Sequence, residues 1–313
     1  MAKPISGGSL REAELTGVAG VAWPARAARS ESPLAQGLRR LRKSATALVG
    51  VAIVVALVVV AIFADVLAPQ SPIASDQMRT FQRPSWDHPL GTDQLGRDML
   101  SRVIHGTRIS LLVGVSSVFL ALFVGVPFGM IAGFYGGRVD TAVMRVMDLI
   151  LAFPIYLLAI ILMVIFTPTA GLIGTMKVTG AIAIVRIPIY ARLVRGSVLS
   201  IKEKEYVEAC RALGVRDPWI LFRHVLPNCL APIIVTTTLG IATSIIVEAT
   251  LSFLGLGTQP PTPSWGWDLK ANVAFIQANL WLSLFPGLAI FVTVLGFNLF
   301  GDGLRDALDP RLK

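Results

Sequence analysis

Cysteine is nearly missing: Cys210 and Cys229 are the two in 313 residues, and both sit in or beside one polar stretch. A disulfide framework has no support, and a structural zinc site lacks ligands. Histidine is as rare. His88, His105 and His224 lie far apart, no pair has metal spacing, and no serine or cysteine has an evident base, so no catalytic or metal residue is assigned. The phosphate-cradling string Gly-x-x-x-x-Gly-Lys-Ser/Thr is absent, which excludes the usual way of binding ATP within this chain. Charge is scarce too. Only 15% of residues are charged and 54% are hydrophobic, where a soluble domain has about a quarter charged. The net charge of +9 raises nucleic acid as a partner, but the basic residues form no stripe interleaved with aromatics, and no nucleic acid is expected.

Long apolar runs are what the sequence has instead. Residues 44–64 contain no charge over 21 positions, 109–137 none over 29 and 225–247 none over 23. About 20 apolar residues cross the roughly 30 Å of a bilayer's hydrocarbon as a helix. The pattern predicts an all-α polytopic membrane protein with six spans, near 44–66, 108–134, 142–166, 176–198, 228–250 and 280–301, within a domain 44–303. Pro154 should kink the third span, and Arg186 interrupts the fourth. Residues 1–43, rich in Ala, Gly, Ser, Pro and Arg, read as a largely disordered tail, and 304–313 as a second tail. Between the first two spans, Thr92 or Asp93 can start a helix with Leu95, Met99 and Val103 on one face and Asp98 paired to Arg102. Such a helix should lie along the membrane interface.

One polar island, 205–228, separates the fourth and fifth spans. Tyr206, Ala209, Cys210 and Leu213 recur at three- and four-residue intervals, so a short helix should have them on its apolar side and Glu205, Glu208 and Arg211 opposite. Gly214 stops it, because a residue free to turn left-handed ends a helix most easily. Asp217 can then cap a second short helix with Pro218 at its first position. Six spans put the island and both termini on one side. That side carries 21 basic residues and the other 7, so the positive-inside rule places it in the cytoplasm.

Within the second span, Gly125, Gly129 and Gly133 stack on one face and permit close approach by another helix, in this chain or a partner. Ionisable residues at membrane depth are the pathway candidates. Arg186 reads as a cation lining the pathway or as a boundary residue snorkelling to the headgroups. Asp148 and Glu248 read as pathway groups or as solvated or paired span ends.

At the island the chain resembles a known family. Glu208-Ala209, Gly214 and Leu226-Pro227, with Cys210 where alanine is usual and His224 where isoleucine is usual, look like the cytoplasmic coupling-helix loop of permease subunits of ABC importers. Longer strings resemble the second, C-type permease of the dipeptide, oligopeptide and nickel branch. These are His-Pro-Leu-Gly-Thr-Asp-Gln-Leu-Gly-Arg-Asp at 88–98, Leu-Ser-Phe-Leu-Gly-Leu-Gly at 251–257, Gln-Pro-Pro-Thr-Pro-Ser-Trp-Gly at 259–266, and Gly-Asp-Gly-Leu-Arg-Asp-Ala-Leu-Asp-Pro-Arg-Leu at 301–312. The resemblance implies a type I ABC importer permease in the bacterial cytoplasmic membrane, importing dipeptides or oligopeptides by ATP-driven alternating access, not an enzyme. It implies an ATPase-coupling set of Tyr206, Glu208, Ala209, Leu213, Gly214, Leu226 and Pro227. No cofactor is expected in this chain, with ATP and Mg held by two ATPase subunits. A second homologous permease, giving a heterodimer, and an extracytoplasmic substrate-binding protein are the other partners besides membrane lipid. A nickel or other small-solute permease is the nearest alternative. A proton-coupled transporter using Asp148 and Glu248 is the further one, though no inverted internal repeat is visible.

Overall fold

The computed structural model describes residues 41, 42 and 44–308. Most of the expected tail 1–43, and residues 309–313, lie outside them. Ser44 starts α1 (Ala45–Ile62) as its N-cap, its hydroxyl accepting from the Ala47 N–H at 3.3 Å. A short α2 (Ala64–Leu67) follows. Then α3 (Met99–Tyr135) runs 37 residues, about 55 Å at 1.5 Å per residue, so it projects well beyond a bilayer core.

No separate interfacial helix forms before the second span. Leu95 precedes α3, and Asp98 is its N-cap, accepting from the Ser101 N–H at 2.8 Å. Nor do Asp98 and Arg102 pair. Asp98 is engaged by His88, and Arg102 reaches Asp268, 166 residues away.

The third span also differs from expectation. It is two helices, α4 (Gly137–Leu151) and α5 (Ile155–Phe166), bent by 87°. Pro154 stands at the N-cap of α5, where its missing N–H costs nothing, instead of kinking a continuous helix. α4 carries charge along its length and is tied sideways by Asp140–Arg195 and Asp148–Arg192, each at 2.5 Å. Its apolar continuation, α5, has 12 residues, about 18 Å and too short alone to cross.

α6 (Gly171–Ile201) passes through Arg186 and Pro188 unbroken, leaving residues 167–170 as the turn before it. α7 (Glu205–Ala212) stands alone. The second helix of the island is not short: α8 (Asp217–Ile220), a π-helical turn (Leu221–Val225) and α9 (Leu226–Phe253) form one helical run from Asp217 to Phe253. Arg216 occupies its N-cap and Asp217 its first turn, with Pro218 beside it. α10 (Trp265–Asn272) is a short helix at the opposite end, and α11 (Trp281–Leu308) absorbs residues 304–308 expected as a tail. Five helical runs among the described residues are long and apolar enough to cross a membrane, and the bent α4–α5 pair makes six.

Lipid tails are as apolar as leucine, so close backbone contact holds such helices together. The Gly125, Gly129 and Gly133 face lies on α6 of the same chain. An added Cβ would fall 2.7 Å from the Ile187 carbonyl oxygen, 2.4 Å from that of Ala191 and 2.9 Å from Val198 Cβ, respectively. α1 and α11 meet the same way, with Gly50 against the Phe300 backbone and Gly303 against Ala47.

Candidate functional site

α7 is anchored chiefly by Val207, with Cys210 half-buried beside it, and exposes most of its other residues. Val207 is fully buried in a core with Met130, Phe134, Val194, Val198, Ile220 and Val225, drawn from α3, α6 and the run that becomes α9. Cys210 and Val215 pack on its margin. The apolar side therefore centres on Val207, not on the expected Tyr206, Ala209 and Leu213. Leu213 is 83% exposed and Tyr206 is 40% exposed, and Glu208 and Ala209 are exposed beside them. The buried stripe lies one residue on from the expected one: Val207 fills the core, and Leu213 is the C-cap, beyond the helix's last residue.

The joint after α7 is built from backbone. Gly214 has φ +73°, its N–H donates to the Arg211 carbonyl at 2.9 Å, and the Val215 N–H donates to the Cys210 carbonyl at 3.1 Å. An L-residue reaches this left-handed region only at a cost. Two further contacts fix α7. Arg211 stacks over the Phe134 ring at 4.8 Å, and Asn228 Nδ2 donates to the Tyr206 hydroxyl at 3.4 Å. Leu226 and Pro227 open α9 behind it. An exposed helix face with glutamate at its centre is thus rigidly joined to three spans at once.

A second feature lies at membrane depth. Arg186 is buried and donates to the Thr243 hydroxyl of α9. It lines a cavity of about 210 Å³ with Ile155 and Tyr156 of α5, Ile182, Val185 and Ile189 of α6, and Thr243 and Val247 of α9. Asp148 does not line it, being half-exposed on α4 and paired to Arg192. Glu248 is fully buried, and three hydroxyls donate to it: Ser252 at 2.8 Å, Ser264 at 3.1 Å and Ser110 at 3.2 Å. Those bonds satisfy the carboxyl and tie α9 to α3 and to the start of α10, so Glu248 lines no cavity with Arg186. The three pathway candidates occupy three separate places.

At the α10 end lies a polar network that sequence reasoning did not find. His88 Nδ1 and Asp98 Oδ1 are 2.9 Å apart, Arg97 Nε donates to Asp93 at 2.7 Å, and Arg102 Nε donates to Asp268 at 2.8 Å, all buried. Burial pushes the Asp268 carboxyl up, against the opposing pull of Arg102. Trp265 Nε1 donates to the Val103 carbonyl at 2.9 Å, closing α10 onto α3. The single available signal was four charged residues and a histidine inside the stretch 88–102, more than an interfacial helix needs.

Comparison with known proteins gives concordant matches. Residues 125–313 match the family described as binding-protein-dependent transport system inner membrane component, and residues 32–84 match the N-terminal TM domain of oligopeptide transport permease C. The dipeptide transport system permease protein DppC of Alkalihalophilus pseudofirmus is 45% identical over 282 residues, covering 90% of this chain and 91% of its own. The di/tripeptide transport system permease protein DppC of Pseudomonas aeruginosa is 45% identical over 290 residues, with 90% and 93% covered. The glutathione transport system permease protein GsiD of Pectobacterium atrosepticum is 44% identical over 283 residues, with 90% and 92% covered. A solved structure of inward-facing conformations of the MetNI methionine ABC transporter superposes with a TM-score of 0.55 at 19% identity, over 67% of this chain and 98% of that one. At that identity the likeness is one of fold.

Proposed function

Since the chain belongs to the family of binding-protein-dependent transport system inner membrane components, we propose that it carries dipeptides or short peptides and is moved by an ATPase bound at α7. The family makes it a multi-pass inner-membrane permease subunit of an ABC importer with the type I permease fold. It is not an enzyme, and hydrolysis of ATP falls to separate subunits that work with it and with a substrate-binding protein. The peptide cargo is supported by relatives named for dipeptides, di- and tripeptides and glutathione.

One observation carries the coupling role: α7 exposes Tyr206, Glu208, Ala209 and Leu213 while Val207 roots it in α3, α6 and α9. A push on that face moves three spans as a body, because a packed core transmits displacement without yielding. Glu208 supplies the charged contact, and Ala209, Leu213 and Gly214 the close packing, against an ATPase that holds ATP and Mg. The 21-to-7 distribution of basic residues supports a cytoplasmic α7 and cytoplasmic chain ends, where two such ATPases can reach it. Six spans make a thin wall around a peptide-sized path. A second, related permease completes it as a heterodimer, and a binding protein delivers cargo from the other side.

Reconstituted vesicles loaded with ATP and supplied with binding protein and a labelled dipeptide test this reading. Uptake should require ATP hydrolysis and the ATPase subunits. Equal uptake without them would refute it.

A further inference from the structure

Among the described residues Arg186 has no carboxylate partner. The carboxylates on α4 are taken by other arginines, Asp148 by Arg192 and Asp140 by Arg195, and Glu248 is satisfied by three hydroxyls. Among the described residues its side-chain partner is one neutral hydroxyl, Thr243. The neighbouring Tyr190 hydroxyl is fully buried without a hydrogen-bond partner among the described residues, and an added Cβ at Gly240 would lie 2.7 Å from that hydroxyl and 3.5 Å from Arg186 Nη1. A guanidinium presents five donors in a planar fork that fits a carboxylate two bonds at a time. At membrane depth such a group is expensive unless it faces water or an anion.

Resting on the peptide-import reading above, we propose that the cavity bounded by Tyr156, Arg186 and Thr243 is the station in the translocation path that takes the free C-terminal carboxylate of the cargo. The cavity of about 210 Å³ is large enough to hold several waters, and so a carboxylate group. Its apolar walls, Ile182, Val185, Ile189 and Val247, strengthen a charge-assisted pair by excluding water. Tyr156 lines the cavity and is 49% exposed. The other source of a carboxylate would be a second permease packed against this face, and the test separates the two.

The experiment uses the whole transporter in vesicles, with wild type, R186K and R186Q. Each is supplied with one dipeptide as the free acid and as the C-terminal amide, and uptake is divided by the amount of that peptide held on the binding protein. The acid-to-amide ratio for a variant is compared with that for wild type, so the binding protein's own preference cancels. R186Q should lower that ratio about tenfold or more, with R186K intermediate and both variants assembled with the partner permease in normal amount. A ratio unchanged within twofold in assembled R186Q overturns the proposal. So does loss of the partner permease from R186Q with its retention in R186K, because that result assigns the anion to the partner. Absence of ATP-dependent uptake of either peptide by wild type refutes the import reading itself and is distinguishable from both.

Discussion

Replacing Gly214 isolates the joint behind α7, because the position is sterically empty and conformationally strict. No atom lies within 4 Å of an added Cβ, yet φ is +73°. Packing therefore contributes nothing to the effect, and the left-handed backbone contributes about 1–2 kcal/mol for a Cβ-bearing residue. Valine, branched at Cβ, falls at the upper end, and asparagine, which tolerates this region, well below it. That range corresponds to about a 5- to 30-fold shift between the joined and unjoined turn. The core around Val207 is untouched, so assembled complex should be present in normal amount for G214V. Uptake per ATP hydrolysed, measured in vesicles, should fall about fivefold or more in G214V and stay within about twofold in G214N. Equal coupling ratios for valine and wild type would refute the reasoning, as would an asparagine variant as poor as valine.

Other consequences follow from the packing. V207A removes two methyl groups from a fully buried site at about 2 kcal/mol, and should reduce uptake more than ATP hydrolysis when both are assayed on one preparation. G129L drives a side chain into the Ala191 carbonyl, 2.4 Å from where its Cβ must go; thermal unfolding in detergent should show loss of about 1–3 kcal/mol or no folded protein, whereas the same change at the open Gly180 should be tolerated. R102A leaves the Asp268 carboxyl buried and unpaired, a cost of about 3–5 kcal/mol, and R102A/D268A should recover part of it. Burial already pushes Asp268 up, and without Arg102 its main opposition is gone, leaving the weaker, opposed influences of Arg97 and Asp93. The folded state then binds more protons than the unfolded, so the R102A deficit should shrink as pH is lowered and grow as pH rises through the raised value.

The apolar runs and the polar island were legible because both are local patterns: an uncharged stretch of 20 or more residues, and a short helix stopped at Gly214. Gly125, Gly129 and Gly133 announced a close contact, and the fold supplies its other side in α6. What could not be read depends on distant partners. Arg102 was matched to Asp98, four residues away, when its carboxylate is Asp268, and the choice is made by the packing of α10 on α3. Glu248 looked like a solvated span end and is sealed by serines from three segments. The 87° break before α5 followed from one proline, read as a kink because sequence does not show how far the next helix turns. In α7 the periodicity was sound and its phase was not: Val207 takes the buried position, while Leu213 falls at the C-cap, past the helix's last residue, and is exposed.

The most direct measurement is a cysteine crosslink from position 208 on a chain whose Cys210 and Cys229 are replaced by serine, formed in the intact membrane and read by mass spectrometry. If α7 receives the stroke, E208C joins a nucleotide-hydrolysing subunit, and the yield changes when ATP is trapped. A crosslink that never reaches such a subunit, or labelling of E208C by an impermeant reagent from outside the cell, would contradict it.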